Sequence, residues 1–175
     1  MKKVNYRRLI PVILFVAVFG MLFRSNLFTS YVVDGKSMEP TLHDGNLLMV
    51  NKIAYDLKDV VRFDVIVFHA NTKDDYVKRV IGLPGDEIVY KQDKLYVNGE
   101  YVQERFLHSL KVGSTHEPFT NDFTLMEITG HKKVPEGKLF VMGDNRPDSL
   151  DSRSFGFISI EQLVGKVDVK YWPLS

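Results

Sequence analysis

Leu9 to Phe23 runs through fifteen positions without a charge, with Lys2, Lys3, Arg7 and Arg8 before it and Arg24 after it. A segment apolar all round has no solvent face, so it does not suit an amphipathic helix on a globular core. A cleaved secretory leader should close on a small-x-small site, and Met21-Leu22-Phe23-Arg24 offers none. The run is shorter than the roughly 20 residues that span a bilayer. Arg24 can snorkel to the headgroups, however, and Leu27, Phe28 and Tyr31 extend the apolar character. The expectation is a single transmembrane anchor over residues 9–28. A cytoplasmic tail of residues 1–8 precedes it, and residues 29–175 lie outside by the positive-inside rule.

Taking those four leading cations from the chain's 23 Lys+Arg leaves 19 against 22 Asp+Glu, a net charge of −3 for the remainder. Such a body has no basic face for phosphates, so nucleic acid is not an expected partner. Cysteine is absent, which excludes disulfides, thiolate zinc sites and a cysteine nucleophile.

Beyond the anchor the pattern is that of short strands. Asn46–Lys52, Asp64–His69 and Leu139–Met142 are apolar runs with polar borders. Tyr76 to Ile81 alternates, placing Tyr76, Lys78 and Val80 on one face and Val77, Arg79 and Ile81 on the other. Leu83-Pro84-Gly85-Asp86 suits a type II turn. Glu87–Tyr90, Lys94–Val97 and Tyr101–Val102 read as a meander with a hairpin at Asn98-Gly99. A last strand is expected over Gly165–Trp172, and Ser159–Val164 is the one short helix. Residues 104–129 are less regular and read as an excursion. The fold class is mainly β, a compact sheet or barrel-like body.

Three stretches carry candidate chemistry. Asp34-Gly35-Lys36-Ser37-Met38-Glu39-Pro40-Thr41-Leu42 holds a serine between a glycine and a proline, which suits an ordinary turn serine as well as a fixed nucleophile. Lys78 shares a strand face with Tyr76 and Val80. Burial there would lower its pKa and make it a base, whereas a snorkelling amine would keep its charge. A serine paired with a neutral lysine needs no histidine. Gly143 to Arg153 is a dense polar loop after an apolar strand, in which Asp and Arg two apart can form a hydrogen-bonded platform. A loop rich in Asn, Asp and Ser is also simply a loop.

Together these stretches resemble the type I signal peptidases in their short Gram-positive form, over nearly the whole chain. The resemblance rests on Gly35-Lys36-Ser37-Met38-Glu39-Pro40-Thr41, Arg62-Phe63-Asp64-Val65-Ile66-Val67-Phe68, and Tyr76-Val77-Lys78-Arg79-Val80-Ile81-Gly82-Leu83-Pro84-Gly85-Asp86. Gly143-Asp144-Asn145-Arg146 with Ser149, Asp151, Ser152 and Arg153 completes it. It implies a membrane-anchored serine endopeptidase that removes signal peptides from secreted pre-proteins after small-x-small (Ala-x-Ala) sites. The implied dyad is Ser37 as nucleophile and Lys78 as general base. Ser149 would orient Lys78, Asp151 and Arg153 would hold the loop as an ion pair, and the Ser37 N–H would face the oxyanion. The implied setting is the outer face of the cell membrane, near the secretion translocase, with no cofactor and no metal.

Two positions depart from the family pattern. Gly35 stands where the Gram-negative branch has a serine that completes the oxyanion hole. Phe63 replaces a common glycine, a difference read as packing variation. Met38 suits a lipid-facing position and a core position equally. The five histidines (His43, His69, His108, His116, His131) lack metal-ligand spacing. A self-cleaving Ser–Lys protease of the SOS-repressor kind would need a DNA-binding module and an Ala-Gly or Cys-Gly bond before the serine, and neither precedes Ser37. A catalytically dead signal-peptide binder would have lost Ser37 or Lys78, and both are present.

Overall fold

The computed structural model describes residues 10–15, 27–108 and 118–172. Residues 10–15 are helical, with Ile10, Val12, Ile13, Leu14 and Phe15 exposed. Among the described residues no helix is long and apolar enough to cross a membrane. Most of the expected anchor lies outside the described residues.

The body is built on two antiparallel sheets. The larger contains seven strands: β1 (Phe28–Val32), β2 (Leu47–Asn51), β3 (Val65–His69), β4 (Asp75–Gly82), β9 (Lys138–Met142), β10 (Ile158–Ser159) and β11 (Leu163–Trp172), in the order β1-β2-β11-β3-β4-β9-β10. The smaller contains β5 (Ile88–Lys91), β6 (Lys94–Val97), β7 (Glu100–Val102) and β8 (Phe123–Thr124), in the order β7-β6-β5-β8. The meander therefore forms a sheet of its own, and the larger sheet is open between β1 and β10. β1 begins at Phe28, the residue where the expected anchor ends.

Local chemistry accounts for the turns. Asn98 and Gly99 take φ of 53° and 85°, the left-handed pair that a tight hairpin requires. The expected Ser159–Val164 helix is only a 3-10 turn at Ile160–Gln162, closed by a Ser159/Gln162 capping box. From Leu163 the chain joins β11, because pairing with β2 and β3 satisfies more backbone than a lone helical turn. Three short helices went unforeseen: Ala54–Leu57, Leu125–Thr129 and Ser152–Phe155. At four or five residues each, they are too short to show a 3.6-residue period. The expected excursion is partly sheet, since Phe123 and Thr124 pair with Tyr90 and Val89.

Three apolar clusters make the core. One joins the two sheets through Ile81, Ile88, Tyr90, Leu95, Phe140 and Met142. The second gathers Val33, Met38, Leu42, Leu48, Val50 and Val67 beneath the Ser37 turn. The third packs Ile66, Phe68, Val80, Leu139, Val141 and Ile158 under the face that carries Lys78. Met38 is fully buried, so it is a core residue, and the lipid-facing alternative falls. Burying such side chains is worth about 1.5–3 kcal/mol each, which pins the Ser37 turn and β4 from below.

Candidate active site

Ser37 follows β1 on a tight turn whose backbone is closed by Glu39 N–H to the Lys36 carbonyl at 3.0 Å and Leu42 N–H to the Met38 carbonyl at 2.9 Å. Gly35 N–H is held by Asp44 Oδ1 at 2.9 Å. Lys78 projects from the middle of β4, paired opposite Ile66 of β3. Its Nζ lies 2.6 Å from Ser37 Oγ. Only 4% of Lys78 is exposed, and its amine stands 5.5 Å from the centre of the Tyr76 ring. Burial pushes its pKa from 10.5 down to about 8, against the opposing pull of Asp151 and Asp144. A lysine in this state gives up its proton near neutral pH, and the neutral amine can accept one from the adjacent hydroxyl. The desolvated reading of Lys78 therefore holds over the snorkelling one.

The loop after β9 closes on the Ser37 turn. Asn145 donates its backbone N–H to the Ser37 carbonyl at 3.1 Å and its side-chain Nδ2 to the Lys36 carbonyl at 3.2 Å. Thr41 Oγ1 donates to Asp144 Oδ2 at 2.6 Å. Asp144 is itself fully buried, and it binds the guanidinium of Arg79 through Nε at 2.8 Å and through Nη2. Arg79 also donates to the Phe63 carbonyl at 2.9 Å and lies 4.0 Å from the Phe106 ring centre. Neighbours in β4 thus play opposite parts, Lys78 aimed at Ser37 and Arg79 at the loop that braces it.

Asp151 and Arg153 form an ion pair, Nη2 to Oδ2 at 2.8 Å and Nε to Oδ1 at 2.9 Å. Burial pushes the Asp151 carboxyl up, but the hydrogen bonds and charge of Arg153, with the Gly143 and Arg153 N–H groups, hold it below its usual value. Asp151 also caps the helix Ser152–Phe155. Ser149 is close by but differently placed from the expectation: its Oγ is buried and makes no hydrogen bond among the described residues, so the expected bond to Lys78 is not formed. Gly143 explains the tightness here, since a Cβ at that position would overlap both Ser149 Oγ and the Ser37 carbonyl.

Several contributors were not legible beforehand. Asp144 pairs with Arg79, 65 positions away, and not with its near neighbour Arg146. Arg146 is fully buried and reaches the smaller sheet, donating to Tyr90 Oη at 2.9 Å, to Thr120 Oγ1 at 3.3 Å and to Glu104. Phe63 has φ 74°, a left-handed backbone that favours glycine, so the packing-variation reading is corrected. Its ring packs edge-on against Phe106 at 5.2 Å.

A cleft lined by Tyr31, Val33, Leu48, Val67 and Val77 opens beside Ser37, between the end of β1 and the start of β4. The start of β4 has no β9 partner, because their pairing begins at Arg79.

Comparison with known proteins places the chain in a family. A family model described as signal peptidase, peptidase S26, matches residues 6–172. Signal peptidase I of Bacillus caldolyticus is 60% identical over 149 residues, covering 85% of this chain and 82% of its own. Signal peptidase IB of Staphylococcus aureus is 43% identical over 176 residues, covering 97% of this chain and 92% of its own. The crystal structure of a signal peptidase I from Enterococcus faecalis V583 superposes with a TM-score of 0.59 at 45% identity, covering 63% of this chain and 97% of that one. The chain is a peptidase and belongs to the signal peptidase family, peptidase S26.

Proposed function

We propose that this protein removes signal peptides from secreted pre-proteins, using Ser37 as nucleophile and Lys78 as general base. The observation that carries the reading is the 2.6 Å contact between Lys78 Nζ and Ser37 Oγ in a site where the lysine is almost fully buried. The names of the relatives support signal peptides as the substrate class.

Neutral Lys78 takes the Ser37 hydroxyl proton as Oγ attacks the scissile carbonyl. The Ser37 N–H receives the developing oxyanion. The Lys78 ammonium then protonates the leaving nitrogen, the amide bond breaks, and an acyl-serine remains. Lys78 next draws a proton from water, whose oxygen attacks the ester, and returns that proton to Ser37 Oγ as the acyl–oxygen bond breaks. Ser149 Oγ, unpaired at rest, orients the Lys78 amine as the charge moves. Asp151 and Arg153 hold the loop and take no proton.

The substrate lies extended in the cleft beside Ser37, adding a strand along the edge of β4 that β9 leaves free before Arg79, the other edge being paired with β3. The narrow apolar walls suit small side chains at the first and third positions before the cut. Residues 9–28 anchor the chain, residues 1–8 remain in the cytoplasm, and residues 29–175 work on the outer face of the cell membrane near the translocase. The uncharged run from Leu9 to Phe23 and its flanking cations support this placement.

The test is cleavage of a pre-protein bearing an Ala-x-Ala site by the full chain in detergent and lipid, with the cut read by mass spectrometry. Wild type should cut after the second alanine, and Ser37→Ala and Lys78→Ala should not. Cutting by Ser37→Ala would sink the nucleophile assignment.

A further inference from the structure

Tyr76 belongs to two depressions. It lines the cleft beside Ser37, and it also walls a separate groove of about 300 Å³. The floor of that groove is a row of aromatic rings leading away from the lysine. Lys78 Nζ is 5.5 Å from the Tyr76 centroid, Tyr76 is 6.2 Å from Phe68, and Phe68 is 6.4 Å from Phe155. Leu150 and Ile158 add apolar wall. Leu150 is 57% and Phe155 40% exposed, so two large apolar side chains face water on either side of Asp151. Single exposed apolar residues need no explanation, but two that line a concave groove next to a perturbed lysine mark a binding surface.

We infer that this groove receives the first residues of the mature chain, beyond the cut, and that an apolar or aromatic side chain a few positions past the scissile bond settles on the Tyr76–Phe68–Phe155 row. The inference rests on the endopeptidase reading of Ser37 and Lys78. Continuity argues for this occupant. Lys78 must come within a hydrogen bond of the leaving nitrogen to protonate it, and its amine already stands against the Tyr76 ring. At about 3.4 Å per residue, an extended chain leaving that point reaches Tyr76 in about two residues and Phe68 in about four. Charge argues against a lipid surface. Among the described residues no lysine or arginine lines the groove. Its sequence neighbours carry both signs, Lys73 and Arg153 beside Asp74, Asp75 and Glu161, with Arg153 already paired to Asp151, so an anionic headgroup finds no cationic cluster there.

The experiment uses the full chain in lipid and detergent with two pre-proteins identical through the Ala-x-Ala site. One carries leucine and phenylalanine at the second to fourth mature positions, and the other carries serine there. The readout is the ratio of kcat/KM between the two substrates within each enzyme, which cancels any general loss of activity. Wild type should prefer the apolar substrate about tenfold, the scale of burying one apolar side chain. Phe155→Ser, which removes a wall, and Ala70→Trp, which fills the groove, should each bring the ratio near one. Phe155→Lys should favour a third substrate with aspartate at those positions.

A wild-type ratio of one, or a ratio kept by all three variants, overturns the inference while leaving the dyad intact. A preserved ratio with weakened vesicle binding assigns the groove to lipid and also overturns it. Failure of wild type to cut any of the substrates removes the endopeptidase reading and this inference with it.

Discussion

The carbonyl oxygen of Ser37 accepts the backbone N–H of Asn145 at 3.1 Å, so the loop after β9 bears directly on the serine turn. Gly143 makes that approach possible, because the space for a Cβ is already filled by Ser149 Oγ and the Ser37 carbonyl. Gly143→Ala should therefore push the loop off the turn. We expect a loss of about 1–3 kcal/mol in urea unfolding, as for other overpacked sites, and cleavage reduced by at least 100-fold through displacement of Ser37.

Lys78 sets the pH dependence. Cleavage should rise tenfold per pH unit below about pH 8 and level above it, as the amine loses its proton. Lys78→Arg should be inactive, because a guanidinium keeps its charge. An active arginine variant would exclude the neutral-amine mechanism.

The same lysine costs stability. Its pKa is lowered from 10.5 to about 8 on folding, so between those values the unfolded chain binds more protons than the native one. Stability should rise with pH across that window, with the full penalty present below it. Lys78→Met should be more stable near pH 7, by on the order of 2 kcal/mol, while losing all activity. Thermal melts at pH 7 and pH 10 compare the two, and the gap should shrink at the higher pH.

Asp144 and Arg79 are both buried and mutually satisfied. Asp144→Ala should cost about 3–5 kcal/mol, since it leaves a buried guanidinium uncompensated and frees Thr41. The double variant Arg79→Met with Asp144→Leu should recover most of that loss. A double-mutant cycle by denaturant unfolding measures the coupling.

Ser149 should separate stability from activity. Its Oγ has no hydrogen bond to lose, so Ser149→Ala should leave the melting temperature unchanged or slightly raised. The cleavage rate should nevertheless fall about 100-fold if the hydroxyl orients Lys78 during turnover. An unaffected rate would remove Ser149 from the mechanism.

Phe63 offers a test of backbone against packing. At φ 74° any Cβ is strained, so Phe63→Gly should be more stable than Phe63→Ala by about 1 kcal/mol. Both should lie below wild type, because each loses the edge contact with Phe106. Equal melts for the two variants would show that the left-handed backbone carries no cost.

Much of this molecule is written locally. The alternation of Tyr76 to Ile81 gives β4 its two faces, and Asn98-Gly99 gives the β6–β7 hairpin its turn, because strand period and turn geometry depend on a few adjacent residues. The stretches around Ser37, Lys78 and Asp151 are each ambiguous alone and become legible only together, as a family resemblance. The short helices were not legible, since four or five residues hold no period to read.

Which groups meet was decided by the tertiary structure. Ser37 and Lys78 are 41 positions apart, Arg79 and Asp144 are 65 apart, and Arg146 finds Glu104 across 42. In a β protein such meetings follow from strand order and register, which emerge only when the apolar faces are buried together. Burial then does the chemical work that composition cannot. The sequence supplied a lysine in a strand, and the packing of Tyr76, Ile66 and the Ser37 turn around it removed the water that would have held its pKa at the ordinary value.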